Sequence, residues 1–289
     1  MTGSGTQESP YIVTTWAEFL SVCNISTSTY VEWNNAEVNF NEIQPSGFAD
    51  PIEIKSNIRL YKVKWRNFVS RAKIAFKILA QLTKIDLEEF EFTDAELFHP
   101  VSSNAYDGAV FSSGRASYLG NYTISKCVFS YRQDSAGKGG FIKHAGTSSV
   151  VNTAITIKST CQGEYDFSDS PVSYLECNIK LDIQAASLTG CLKSFLCWYS
   201  GKIQTSAASW TNSTANLLGN FVFDVECNVP ISFGSGHIYR CIYNSDKCTI
   251  TGTNWIGATT AQLSDTTYLY NQGLPVARDS SLDSILIVF

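Results

Sequence analysis

The stretch Tyr122-Thr123-Ile124-Ser125-Lys126-Cys127-Val128-Phe129 is a short β-prone run in which a cysteine sits beside alternating apolar residues. Its second half, Lys126-Cys127-Val128-Phe129, returns as Glu176-Cys177-Asn178-Ile179 and as Lys247-Cys248-Thr249-Ile250. Comparable runs lie between these, in Ala154-Ile155-Thr156-Ile157, Leu175 to Ile183 and Phe221 to Val225, broken by Gly, Asn, Asp and Ser. In the second half of the chain, successive runs start about twenty to twenty-five residues apart. That is the length of one turn of a three-sided parallel coil, three short strands with their turns. The period predicts an all-β protein, a right-handed parallel β-helix. Its irregularity leaves a β-sandwich as the alternative.

The same pattern extends toward the N-terminus in Ile58 to Val63 and Ile85 to Phe92. Between them, Ile74, Ile78 and Leu82 stand at i, i+4 and i+8, a spacing that fits a helix over residues 70–84. The flanking β runs favour strands of consecutive coils instead. The first 50 residues read as an N-terminal cap: a glycine-marked lead-in, a strand at Tyr11-Ile12-Val13 and a short helix. Thr15-Trp16-Ala17-Glu18 has the spacing of a capping box. Trp16, Phe19, Leu20 and Cys23 then follow on one helical face. A stacked coil leaves its end strands unpaired and its end core open, and an amphipathic helix with these residues can plug one end. Residues 51–289 are read as coils, closed by a final strand within Ser284-Ile285-Leu286-Ile287-Val288-Phe289.

Composition narrows the function. Charged residues make up 16% of the 289, against roughly 25% in ordinary globular chains. The apolar content of 44% rules out a disordered chain. Ser, Thr and Asn are plentiful, as expected where neutral polar ladders form much of the surface. A net charge of −5 gives no global case for nucleic-acid binding. Nine scattered cysteines with no CxxC pair argue for buried thiols in a reducing compartment, not for zinc or disulfides. The expected metal and cofactor content is none. The N-terminus lacks the features of a signal peptide, and no apolar run approaches a membrane span, so a soluble, not conventionally secreted protein is expected.

The opening Gly3-Ser4-Gly5-Thr6-Gln7-Glu8-Ser9-Pro10-Tyr11-Ile12-Val13-Thr14-Thr15-Trp16-Ala17-Glu18-Phe19 resembles the start of parallel β-helix proteins encoded by phages and prophages of gut-type and other low-GC bacteria. Phe40-Asn41-Glu42-Ile43-Gln44-Pro45 looks like the short element that follows there. Only these first 45 residues carry specific resemblance; the alternating runs beyond are similar in kind. The resemblance implies a virion-associated or host-surface-associated role, synthesis in a bacterial host cytoplasm, and homo-oligomers, dimers or trimers. It implies no single activity, because the fold carries tailspike hydrolases, lyases, adhesins and inert decoration proteins.

One local feature suggests how such a protein docks. Residues 55–84 hold nine of the 21 basic residues and no acidic one. Lys55, Arg59, Lys62, Lys64, Arg66, Arg71, Lys73 and Lys77 are therefore candidates for a basic face that docks on other virion proteins of the capsid or tail. Nucleic acid is disfavoured as the partner, since no stacking-aromatic motif accompanies the charge. Trp198, Tyr199, Trp210 and Trp255 are weaker candidates for contact with protein or a host surface glycan. Adjacent strand residues face opposite ways, so one of Trp198 and Tyr199 should be exposed. Paired carboxylates for glycoside hydrolysis could come from Asp86 with Glu88, or from Glu164, Asp166 and Asp169. Scattered acids are more often solubilising, and no residue is assigned a catalytic role. His99, His144 and His237 accompany no nucleophile motif, and Gly137-Lys138-Gly139-Gly140 lacks the spacing of a phosphate loop. The sequence thus favours a non-catalytic structural component of a bacteriophage particle: a capsid decoration, fibre or tail-associated protein. A tailspike-like carbohydrate-active enzyme or a glycan-binding adhesin on the same fold is the alternative.

Overall fold

In the computed structural model, the described residues are 1–72, 74–81, 83–99, 109–112, 120–135, 140–143, 148–159, 172–184, 196–206, 208, 210–212, 220–233, 241–252, 254–274, 276–279 and 284–287. The protein is an all-β chain built on parallel pairing, with a few short helices. Three long ladders carry it. In the first, Tyr11–Val13, Tyr30–Asn34, Asn57–Tyr61, Lys84–Glu88, Asn121–Ser125, Ser148–Val151 and the start of Val172–Gln184 pair in succession.

The second ladder runs from Glu37–Asn39 through Lys64–Arg66, Glu91–His99, Val128–Ser135, Ala154–Ser159 and the rest of Val172–Gln184. It continues through Leu196–Gln204, Asn220–Cys227 and Cys241–Asn244 to Trp255–Ala258. The third joins Ile52–Ile54, Phe76–Ile78, Ala109–Ser112 and Gly140–Lys143. A shorter parallel set, Trp210–Asn212, Ile231–Phe233 and Ile250–Thr251, lies toward the C-terminus. The antiparallel pair among the described strands is Val276–Asp279 with Ser284–Ile287.

The corner between the first and second ladders repeats most clearly. Asn35, Lys62, Glu89, Lys126, Asn152 and Glu176 occupy it, all with φ between 46° and 55°. At five successive corners the backbone N–H donates to the carbonyl just before the next corner: Asn35 to Tyr61, Lys62 to Glu88, Glu89 to Ser125, Lys126 to Val151 and Asn152 to Leu175, at 2.9–3.1 Å. The residue after the corner turns inward, and Val63, Phe90, Cys127, Thr153 and Cys177 are all buried there. Where that residue has a short donor, it donates to the carbonyl two residues back. Cys127 Sγ reaches Ser125 O at 3.1 Å, Thr153 Oγ1 reaches Val151 O at 2.9 Å and Cys177 Sγ reaches Leu175 O at 3.3 Å. The lysine–cysteine and glutamate–cysteine motifs at 126 and 176 are therefore two copies of one corner. Lys247-Cys248 is not a third copy, because Cys248 follows the turn at residues 245–247 and its thiol donates to Asn244 O.

Alternation along the strands builds the core between the ladders. In the second ladder one buried column reads Val38, Trp65, Phe92, Phe129, Ile155, Ile179, Tyr199 and Phe223 in register. Phe76 and Phe111 stack from the third ladder at 5.3 Å between ring centroids. Residues 70–84 contribute Phe76–Ile78 and the start of Lys84–Glu88, with no helix among the described residues there. Phe76 and Ile78 are buried on one face of that strand and Ile74 is buried just ahead of it, so an i, i+4 count of Ile74 and Ile78 also fits these positions; Leu82 lies outside the described residues.

At the N-terminal end, Trp16–Val22 is a short helix where the sequence predicts one, with Trp16, Phe19 and Val22 buried and Leu20, expected on the same face, exposed. The Trp16 ring lies 4.9–6.5 Å from those of Phe19, Trp33, Phe40, Phe48 and Trp65. Only half of the expected capping box forms. Thr15 Oγ1 accepts from the Glu18 N–H, but Glu18 bonds one residue earlier, to the Thr14 N–H at 2.8 Å and to the N-terminal ammonium of Met1. Residues 1–50 are also more than a cap, since they supply the first strands of two ladders.

At the C-terminal end, Ser284–Ile287 pairs antiparallel with Val276–Asp279. Two short helices, Thr260–Leu263 and Thr266–Asn271, supply Leu263 and Leu269 to a second apolar cluster with Val222, Ile242, Ala258 and Leu274. Val222 and Ile242 alternate with Phe223 and Cys241 of the main core, so this cluster lies on the opposite face of the same strands.

Candidate functional site

The basic run occupies one rung, and one rung visits all three ladders. Arg59 is therefore on the first ladder, Lys62 at the corner, Lys64 and Arg66 on the second ladder and Lys77 on the third. They do not form a single basic face. Lys73 lies outside the described residues. Lys55 is half-buried, and its N–H donates to Cys23 O at 3.0 Å.

Stacking also gives most of these cations an acidic neighbour. Residues 1–54 carry seven acidic and no basic residues, and residues 85–99 carry six acidic residues and no Lys or Arg. The basic rung lies between these two acidic ones. Glu32, Arg59 and Asp86 are successive register partners, and so are Glu37, Lys64 and Glu91. Arg59 approaches Glu32 at 3.6 Å, Lys62 approaches Glu89 at 3.7 Å and Lys64 approaches Glu91 at 2.8 Å. Arg66 pairs with Glu37 at 3.5 Å and Lys77 with Glu53 at 3.1 Å. Arg71 donates to Ser46 O at 3.5 Å and lies 5.4 Å from the Phe98 ring centre. The Tyr61 hydroxyl and then the Glu89 carboxylate hold the Lys62 ammonium above the ordinary lysine range. Further along, Lys202–Glu226 and Lys247–Asp224 continue the cross-rung pairing at 2.7 and 2.9 Å.

The sequence carried a signal for this arrangement. Acidic, basic and acidic blocks alternate at about the length of a rung, but summing charge over the basic block alone suggests a polarised molecule instead. These pairs are largely solvent-exposed, so each adds little to stability. Their cations can exchange partners at little cost. Lys62, Lys64 and Arg66 are contiguous across the corner and second ladder, which makes them the part of the run that can act on one surface.

The aromatic candidates separate as alternation requires. Tyr199 is fully buried in the main core, whereas Trp198 points the other way. Trp198 packs, half-buried, against the second apolar cluster beneath the C-terminal helices. Trp255 is half-buried against the main core, with its ring 6.4 Å from Phe223 and 6.2 Å from Tyr243. Trp210 is in a strand, and its side chain lies outside the described residues. Asp86 and Glu88 share the outer side of the first ladder, both half-exposed, opposite Thr123 and Ser125. Glu164, Asp166, Asp169, His144, His237, Cys161, Cys191 and residues 137–139 lie outside the described residues, as does the side chain of His99.

The seven described cysteines are free thiols, and all but Cys227 are buried. Burial pushes the thiols of Cys127, Cys177 and Cys248 up to about 12, far from a nucleophile's range. No helix among the described residues is long and apolar enough to cross a membrane. No protein family, curated protein or solved structure matches this chain.

Proposed function

We propose that the chain is a right-handed parallel β-helix serving as a non-catalytic structural component of a bacteriophage particle, as a capsid decoration, fibre or tail-associated subunit. The observation that carries the scaffold reading is the corner column Asn35, Lys62, Glu89, Lys126, Asn152 and Glu176, with parallel ladders on both sides. Parallel strands joined by crossovers in one sheet are right-handed in about 98% of cases, which supports the handedness. The virion assignment rests on the resemblance of the first 45 residues to phage-encoded β-helices. A stack whose interior is filled by aromatic and branched side chains is suited to bearing load and presenting a surface.

Docking in this reading runs through Lys62, Lys64 and Arg66, which trade Glu89, Glu91 and Glu37 for acidic groups on the particle. Co-sedimentation of the purified protein with particles lacking it, at low and high salt, tests the assignment. Saturable binding that weakens with salt, and falls by about tenfold in the Lys62→Gln, Lys64→Gln, Arg66→Gln variant, is expected. Absence of binding, together with release of sugar from host glycans by the protein alone, would overturn it in favour of a tailspike-like enzyme.

A further inference from the structure

We propose that the outer edge of Ile52–Ile54 is a docking site for an extended, basic segment of a partner protein, added as one more strand ahead of the first rung. The first strand of any stacked ladder has a bare outer edge that a strand can join. On the first ladder that edge is occupied: Thr2 exchanges two hydrogen bonds with Ile12, at 3.1 and 2.8 Å. The third ladder begins with Ile52–Ile54, where Ile52 N–H donates inward to Ala75 O at 2.9 Å and Ile54 O accepts from Leu79 N–H at 2.8 Å. Alternation in a parallel ladder then turns the Glu53 peptide groups outward. The Glu53 carbonyl accepts from the Cys23 thiol at 3.6 Å, and the next outward N–H, of Lys55, already donates to Cys23 O at 3.0 Å, so the open part of the edge centres on the Glu53 N–H, which has no partner among the described residues.

A groove of about 530 Å³ runs along this edge, between Leu20 and Cys23 on one side and Asp50, Ile52 and Lys77 on the other. Leu20 is 41% exposed although it belongs to an otherwise buried helix face, and it offers an apolar contact for an incoming side chain. Charge selects the partner. Lys77 is engaged by Glu53, whereas Asp50 has no cationic partner among the described residues. With seven acidic residues and no basic one in residues 1–54, a second copy joined edge to edge would set acid against acid. A strand bearing Lys or Arg completes the alternation of acidic and basic rungs that the protein uses internally.

The test is fluorescence anisotropy of the full-length protein with a labelled peptide alternating lysine and valine, beside one alternating glutamate and valine. The basic peptide is expected to bind, to slow amide exchange at Glu53 and to outcompete the acidic one by at least about tenfold. Glu53→Pro removes the outward N–H, and with it the carboxylate that engages Lys77, and should abolish binding with at most a small fall in melting temperature, whereas Glu53→Gln, which keeps the N–H, should retain most of the binding. Leu20→Lys, at an exposed site, should weaken binding similarly and serves if the proline variant does not fold. Equal binding of both peptides, no binding, or affinity unchanged in the Glu53→Pro and Leu20→Lys variants would overturn the proposal.

Discussion

At the corner between the first two ladders, backbone geometry sets a demand that side chains meet unevenly. Four of the six residues with positive φ there are lysine or glutamate, for which this region costs roughly 1 kcal/mol, while Asn35 and Asn152 suit it better. Lys126→Asn should therefore raise stability by about 0.5–1 kcal/mol in chemical denaturation. A loss of stability would mean that the lysine side chain contributes more than the backbone strain it bears. The inward residue matters differently. The thiols of Cys127 and Cys177, inward at two corners, sit near 12 in the fold against an ordinary value of 9.0, as does that of Cys248, buried outside the corners. Their contribution is complete below the unfolded value and is lost as pH rises from about 9 toward 12. Melting temperature should fall across that alkaline window, and these cysteines should resist alkylation at pH 8 until the chain unfolds. Rapid alkylation of Cys127 in the native state would contradict the buried corner.

The capping helix illustrates which elements the sequence makes legible. Trp16, Phe19 and the Thr15 cap follow from local spacing and local hydrogen bonding, and the structure places them as that spacing predicts. Trp16→Ala would empty a site ringed by five aromatic side chains and should cost about 3–5 kcal/mol, read as a shift in the denaturation midpoint. A cost below about 1 kcal/mol would show that the end of the stack does not depend on its plug. Elements defined by distant partners were less legible. Toward the C-terminus, an apolar face that the sequence does not mark is that of Val222 and Ile242. Its covering leucines, Leu263 and Leu269, sit on helices too short to stand out by periodicity.

For the whole molecule, the ladders change what a run of charge means. A block of nine basic residues reads as a patch along the sequence, but a chain that passes through three ladders in turn divides the block among them. It then sets that block against the rungs before and after. Parallel strand order was legible in the spacing of short apolar runs; the pairing of Arg59 with Glu32 and of Lys64 with Glu91 was not, because register is a property of stacking. The central claim is that consecutive passes stack in this register, and a cross-rung disulfide tests it most directly. Arg59 and Asp86 are register partners on the outer side of the first ladder. Paired Cα atoms of neighbouring strands lie within the roughly 4.4–6.8 Å that a disulfide spans. The double variant Arg59→Cys, Asp86→Cys should form the 59–86 bond under mild oxidation, identified by peptide mapping, whereas Arg59→Cys with Leu87→Cys should not. Failure of the first pair, or bonding of the second, would contradict the stacked register and the alternation of charge built on it.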